Sequence, residues 1–152
     1  MKIVVTGGAG FLGYHISQKI NRITDFSNTV FFDIAKFEEN EYDKAIKCIY
    51  GDVRDKKQMD EMMKGVDVVI HCAAALPLWK KKDIYETNID GTKNVLDSSL
   101  KNNVNRVVHI SSTAVYGVPD VHPLFESHPR HGVGPYGESK VNAEEVCEEY
   151  RK

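Results

Sequence analysis

The sequence predicts an α/β protein built on a doubly wound parallel sheet, and three observations carry that prediction. Apolar runs of strand length alternate with longer segments of helical character, the pattern of successive β-α-β units. The first run, Lys2-Ile-Val-Val5, leads through Thr6 into three glycines spaced Gly7-x-x-Gly10-x-x-Gly13, with a helix starting inside them. The second run, Thr29-Val-Phe-Phe32, ends on a carboxylate, Asp33, 20 residues after Gly13.

Strand, glycine turn, helix, strand and acid in that order are the layout of a dinucleotide site. Gly7 permits the tight turn off the strand, Gly10 lets a diphosphate lie against backbone with no Cβ between, and Gly13 lets the helix pack closely on the sheet. The helix start presents the N–H groups of Phe11 and Leu12 to the phosphates. Asp33 stands where the adenosine ribose hydroxyls need an acceptor, and its charge repels a 2′-phosphate, so NAD is favoured over NADP. The expected fold is therefore Rossmann-type, three layers αβα, and the right-handed crossover rule gives the strand order 3-2-1-4-5.

The remaining elements follow in order. The first helix is expected over Phe11 to Ile23, and Lys47-Cys-Ile-Tyr50 reads as the third strand. Gly51-Asp-Val-Arg-Asp55 makes a turn, and Asp55 is a natural N-cap for a helix reaching Lys64. Val66-Asp-Val-Val-Ile70 reads as the fourth strand, running on to Ala73-Ala-Ala75. A long helix is expected over Asp83 to Asn102, burying Ile84, Ile89, Val95, Leu96 and Leu100. Gly91 inside it costs about 1 kcal/mol against alanine, which points to a close approach at that position. Arg106-Val-Val-His-Ile110 reads as the fifth strand, closed by Ser111-Ser112-Thr113. A Pro/Gly/His-rich loop spans Gly117 to Gly134, and Pro135 suits the first turn of a last helix over Tyr136 to Tyr150. Thr6 to Gly13, Asp33, Asp52, Ala73 to Ala75 and Ser111 to Thr113 all follow carboxyl ends of strands. In sheets of this kind those ends line one ligand crevice.

Composition bounds the rest. The 152 residues are 41% hydrophobic and 28% charged, the profile of an ordinary globular chain of about one domain. A net charge of −2 gives no electrostatic case for nucleic acid or a membrane surface. The N-terminus has too short an apolar run for a signal peptide, so a cytoplasmic location is expected. Cys48, Cys72 and Cys147 are odd in number and widely spaced, which suits reduced thiols, with Cys72 packed in the core. His122, His128 and His131 crowd one loop but lack zinc-type spacing, so no metal is expected.

One pair of residues can do chemistry. Tyr136 and Lys140 lie four apart on one helix face, and a lysine charge beside a phenol favours the phenolate, which makes Tyr136 a candidate general acid/base. The hydroxyl cluster Ser111-Ser112-Thr113 supplies a second donor from the end of a strand. A Tyr-x-x-x-Lys pair alone is usually just a surface pair; the hydroxyls distinguish this one.

With these motifs in place the chain resembles the extended short-chain dehydrogenase/reductases, more narrowly the NAD-dependent epimerase/dehydratase group. The resemblance rests on Thr6-Gly-Gly-Ala-Gly-Phe-Leu-Gly13, Asp33, Gly51-Asp-Val-Arg-Asp55, His71-Cys-Ala-Ala-Ala75, Asn88-Ile-Asp-Gly-Thr92, Ser111-Ser-Thr-Ala-Val-Tyr-Gly117 and Pro135-Tyr-Gly-Glu-Ser-Lys140. It implies that Tyr136 is the catalytic acid/base, that Lys140 holds the nicotinamide ribose and lowers the Tyr136 pKa, that Ser112 is the catalytic hydroxyl and that Thr113 lies beside the substrate. It further implies that Asp52 and Val53 meet the adenine, that Ala73, Ala74 and Ala75 line the cofactor, and that Asn88 joins the active-site hydrogen bonds. Each has a plainer competitor. Asp52 suits a turn cap, Asn88 suits backbone pairing where a helix bends, and Lys80-Lys-Lys82 suits solvent as well as an anionic substrate.

The function so implied is hydride transfer between a hydroxyl-bearing carbon and NAD, most naturally on a nucleotide sugar. Two alternatives stay open: a hydroxysteroid or dihydroflavonol-type dehydrogenase, and a stand-alone NAD-binding module without catalysis. The resemblance also implies a substrate-recognition domain that this sequence does not contain, leaving residues 1–152 as the cofactor domain, and a homodimer through the 83–102 and 136–150 helices. The fifth strand, at the edge of the sheet, is expected to be an unpaired template for association.

Overall fold

Alternation along the strands builds both faces of the sheet. The computed structural model describes residues 1–22, 24–38 and 40–151. Its strands are β1 (Ile3–Thr6), β2 (Thr29–Asp33), β3 (Lys47–Tyr50), β4 (Val68–His71) and β5 (Arg106–His109), all parallel in the order β3-β2-β1-β4-β5. Val4, Val30, Phe32 and Val69 point to one face, where they pack with Val53, Met59, Met63 and Val95. Their neighbours Ile3, Val5 and Phe31 point to the other and pack with Ile20, Tyr42 and Ile46. This period of two, with helical residues closing each face, is the physical content of a doubly wound sheet. The expected class and strand order are those observed.

The helices are α1 (Phe11–Ser17), α2 (Lys56–Met62), α3 (Lys81–Tyr85), α4 (Thr92–Lys101) and α5 (Gly134–Glu149). The residues group into two compact units, Met1–Ala73 with Asn94–Ile110, and Ala74–Lys93 with Ser111–Lys152. The first contains the whole sheet. In the second, α5 buries Gly137, Ser139, Lys140 and Ala143.

Several expected boundaries move, each for a local reason. The first helix stops at Ser17 rather than Ile23, which itself lies outside the described residues. The Ser17 hydroxyl donates to the Tyr14 carbonyl at 2.6 Å, and Lys19 N–H bonds back three residues to Ile16, so the chain tightens into a 3₁₀ turn at Ile20–Arg22. The fourth strand starts at Val68, not Val66. Gly65 has φ 64° and Val66 N–H turns back to the Met63 carbonyl, so sheet pairing begins only beyond them.

The long helix is not regular. Between α3 and α4 lies a six-residue π segment, Glu86–Gly91. There the Thr92 hydroxyl donates to the Asn88 carbonyl at 2.7 Å, and the Asn88 side chain bonds away from its own helix. The suspicious Gly91 is the buried last residue of this segment. Ile84, Val95 and Leu96 are buried as expected, Ile89 only partly, and Leu100 is 70% exposed, a correction. At 100° per residue Leu100 stands about 140° around the helix from Val95, so Ser98 and Ser99 take the buried places instead. Asp55 caps α2 as expected, accepting from the N–H groups of Lys57 and Gln58, and Pro135 occupies the first turn of α5.

Candidate functional site

In the first unit the glycine turn is fixed by its own backbone crowding. Gly7 adopts φ +69°, and a Cβ there would stand 2.6 Å from the Ala73 nitrogen. A Cβ on Gly13 would stand 2.4 Å from the Gly7 carbonyl and 2.5 Å from that of Gly8. Gly13 therefore packs α1 against the turn itself rather than against the strand. Gly10 differs: its Cβ direction meets only the Gly7 carbonyl oxygen, at 3.3 Å. The space over Gly10 is what a diphosphate needs, and at the start of α1 the Phe11 and Leu12 amides precede the first intrahelical bond, Tyr14 N–H to Gly10. The Phe11 ring is exposed and lies edge-on to His15 at 4.5 Å.

Asp33 reaches this turn from the end of β2. One carboxylate oxygen accepts from Ala9 N–H at 2.9 Å and the other from Ala35 N–H at 2.8 Å. Each oxygen retains a lone pair for a ribose hydroxyl. Asp52 is more engaged. It accepts from Arg54 N–H at 2.9 Å and from the guanidinium, with Nη2 at 2.7 Å. Burial raises the Asp52 carboxyl pKa, but hydrogen bonds and charge from Arg54 outweigh it and hold the group below its usual range. The turn-cap competitor is thus realised here. The Val53 side chain is core, and its carbonyl accepts from Asn94 at 3.1 Å, so only its backbone is left to face a base. Ala73 N–H donates to the Thr6 hydroxyl at 3.4 Å, and that hydroxyl shares a 2.6 Å hydrogen bond with His71 Nδ1.

In the second unit Asn88 is the hub. Buried to 1% exposure, it accepts from Ala75 N–H at 2.8 Å, donates to the Ala75 carbonyl at 3.2 Å and donates to the Ser139 hydroxyl at 2.9 Å. Ser139 in turn donates to the Tyr136 carbonyl at 2.7 Å. Asn88 thereby ties the segment around Ala74 and Ala75 to the first turn of α5. Ser112 accepts from Ala114 N–H at 3.2 Å, capping a 3₁₀ turn at Thr113–Tyr116, and its own proton has no acceptor among the described residues. Thr113 is exposed. Tyr136 is half-buried, and its hydroxyl takes no hydrogen bond among the described residues; Lys140, one turn on, is 2% exposed. Ser111 is structural, as its hydroxyl bonds to Glu144.

Four participants escaped the sequence reading. Arg54 occupies Asp52, and Ser139 links Asn88 to α5. Arg130 bonds Glu144 at 2.9 Å and Glu148 at 3.0 Å, holding the loop before α5 onto that helix. Tyr42 donates its hydroxyl to the Gly8 carbonyl at 2.8 Å. Only Ser139, inside the Tyr-x-x-Ser-Lys run, carried a spacing signal.

A parallel sheet ordered 3-2-1-4-5, with a glycine turn after β1 and an acid closing β2, defines a Rossmann-type α/β protein. The chain belongs to the NAD-dependent epimerase/dehydratase family, whose model matches residues 3–152. A UDP-glucose 4-epimerase from Rhizobium meliloti is 30% identical over 97% of this chain and 46% of its own. Among solved structures, a dTDP-glucose 4,6-dehydratase from Streptomyces venezuelae with NAD bound has TM-score 0.90 at 28% identity, over 99% of this chain and 51% of its own. A UDP-galactose 4-epimerase has TM-score 0.88 at 32% identity, with the same coverage. The chain spans about half the length of the relatives it matches.

Proposed function

We propose that this chain is the NAD-binding domain of an epimerase or dehydratase acting on a nucleotide sugar. The observation that carries the reading is the Asp33 carboxylate bonded to Ala9 N–H at 2.9 Å, beside a Gly10 whose Cβ direction meets only the Gly7 carbonyl oxygen, at 3.3 Å. That arrangement fits NAD: an open backbone face for the diphosphate and an anionic acceptor for an unphosphorylated ribose.

NAD, when bound, supplies a hydride acceptor. The chain's own residues do the rest. Gly7, Gly10 and Gly13 shape the turn, Phe11 and Leu12 offer amides to the diphosphate, and Asp33 holds the ribose. Asp52 and Val53 border the adenine, Val53 through its backbone. Ala73, Ala74 and Ala75 line the cofactor, and Asn88 serves it by bracing Ala75. Tyr136 takes the substrate hydroxyl proton, Ser112 donates to the same oxygen, and Lys140 holds the nicotinamide ribose and favours the phenolate. Thr113 borders the sugar.

The relatives' named substrates, UDP-glucose and dTDP-glucose, support the nucleotide-sugar class. A homodimer through residues 83–102 and 136–150, and a cytoplasmic location, complete the proposal; no helix among the described residues is long and apolar enough to cross a membrane.

The test has two stages. Calorimetric titration should show NAD binding at least about tenfold tighter than NADP, and failure to bind NAD defeats the reading. A chimera carrying the remaining half of the Rhizobium meliloti relative should then turn over UDP-glucose, and Tyr136→Phe should abolish turnover at unchanged NAD affinity.

A further inference from the structure

The glycine turn is held at one peptide unit from two directions. The carbonyl of Gly8 and the N–H of Ala9 belong to the same planar, trans peptide and so point opposite ways. Tyr42 donates to that carbonyl at 2.8 Å, and Asp33 accepts from that N–H at 2.9 Å. Gly8 is buried, its N–H bonded to the Phe32 carbonyl at 3.1 Å. Tyr42 comes from the connection between β2 and β3, 34 residues from Gly8. Its ring is 8% exposed and sits among Phe37, Phe31 and Tyr14 at centroid distances of 5.3, 6.0 and 6.1 Å.

A glycine-flanked peptide rotates at little steric cost, because one of its neighbours has no Cβ to clash. Rotation of this one would turn a carbonyl dipole to where an N–H had pointed, and it would swing the amides that follow. For an anion lying over Gly10 that exchange is repulsive. Both ends of the peptide must therefore be occupied for the turn to keep its donors outward. The motif supplies one anchor, through the acid that ends β2. The other comes from outside every motif.

We infer that Tyr42 is a positioning residue for the diphosphate-binding turn, its hydroxyl fixing the Gly8–Ala9 peptide so that the following amides face the anion. This rests on the dinucleotide reading above and adds to it a residue that acts through Gly8 without touching the ligand. Burial, chiefly, pushes the Tyr42 pKa up to about 12, with Cys48, Glu41, Asp33 and Tyr14 adding in that direction, so the hydroxyl remains a donor at neutral pH.

The plainer role for Tyr42 is to fill the aromatic cluster, and phenylalanine fills it equally well. Tyr42→Phe therefore isolates the oxygen. Two ligands separate the roles: NAD, which carries the diphosphate, and adenosine, which does not. In the variant, NAD should bind about tenfold more weakly, the effect expected when one buried hydrogen bond is lost, while adenosine, followed by chemical-shift titration, stays within about twofold. Amide exchange at Ala9 and Gly10 should speed up while β1 and β2 keep their protection. Unchanged NAD affinity, or equal weakening of both ligands, overturns the inference and leaves the dinucleotide reading standing. No NAD binding by the unaltered chain removes both. If the variant is too unstable to titrate, the exchange comparison decides alone, and uniform acceleration across the sheet overturns the inference.

Discussion

The side-chain amide of Asn88 pairs with both backbone polar groups of Ala75, accepting from its N–H at 2.8 Å and donating to its carbonyl at 3.2 Å. An asparagine used this way stands in for a missing strand neighbour, satisfying a buried segment that no sheet covers. Its own backbone carbonyl takes the Thr92 hydroxyl instead, inside the π segment.

Asn88→Ala should therefore act first on stability. It leaves the Ala75 groups and one lone pair of Ser139 unpaired in a buried place, which costs about 2–4 kcal/mol. Urea unfolding measures this directly. A loss below about 1 kcal/mol would return Asn88 to a purely chemical role.

Asp33 combines two tasks, so its variants should separate them. Asp33→Ala removes the negative acceptor and also frees the N–H groups of Ala9 and Ala35. NAD affinity should fall by at least about tenfold, whereas NADP, which loses the same brace on the turn but is relieved of repulsion between its 2′-phosphate and the carboxylate, should weaken less. The ratio of the two affinities, measured by titration, is the readout. Equal weakening of both would mean that Asp33 only braces the turn.

The depressed carboxyl of Asp52 makes a prediction about pH. Burial raises its pKa, and the Arg54 hydrogen bonds and charge more than reverse this, leaving it below the ordinary 3.8. A carboxyl lowered on folding stabilises the native state above the unfolded pKa, and that contribution is lost as pH falls through the folded value. Urea stability should therefore include a component that disappears below about pH 4. In Arg54→Met the side-chain hydrogen bonds and the charge are gone, and only the residue-54 N–H still works against burial, so the depression shrinks: the variant is weaker at pH 7 and loses less on acidification. Stability curves for the two proteins that run parallel from pH 7 to 3 would contradict the pairing.

Much of this architecture was legible because it rests on local patterns. Strand alternation and the right-handed crossover are set by sterics within a few residues, so class and order followed from periodicity, the glycine turn and the crossover rule together. Asp55 as a cap and Pro135 in a first turn are likewise decided by their own backbones. The failures are tertiary. Backbone pairing by Asn88 where the helix bends was one of the two readings the sequence allowed, but nothing within the Asp83–Asn102 pattern names its partners Ala75 and Ser139, and Leu100 was assigned to the wrong face. Tyr42 reads as one aromatic residue in a charged connection, and its bond to Gly8 exists only once β2 and β3 are side by side. Asp52 was recognised while its partner two residues on was not, because an acid–base pair at that spacing is common in loops.

The glycines give the sharpest comparison, since two of them ought to fail for different reasons. At Gly13 an added Cβ would lie 2.4 and 2.5 Å from the carbonyl oxygens of Gly7 and Gly8, atoms of a turn that has no flexible side chain to move aside. Gly13→Ala should thus destabilise the fold by about 1–3 kcal/mol as the turn and α1 part, and NAD binding should be lost as a consequence. At Gly10 the nearest atom is 3.3 Å away and φ is −81°, which alanine adopts without strain. Gly10→Ala should stay within about 1 kcal/mol of the parent in urea, because the one close atom is the Gly7 carbonyl oxygen, which need yield only slightly, and otherwise only the cap preference changes. Its Cβ nevertheless projects into the space assigned to the diphosphate, so NAD should bind at least about tenfold more weakly to a protein that is otherwise intact. Paired unfolding and titration experiments on both variants distinguish the cases. An alanine at Gly10 that leaves NAD affinity unaltered would show that the ligand does not cross the turn at that point.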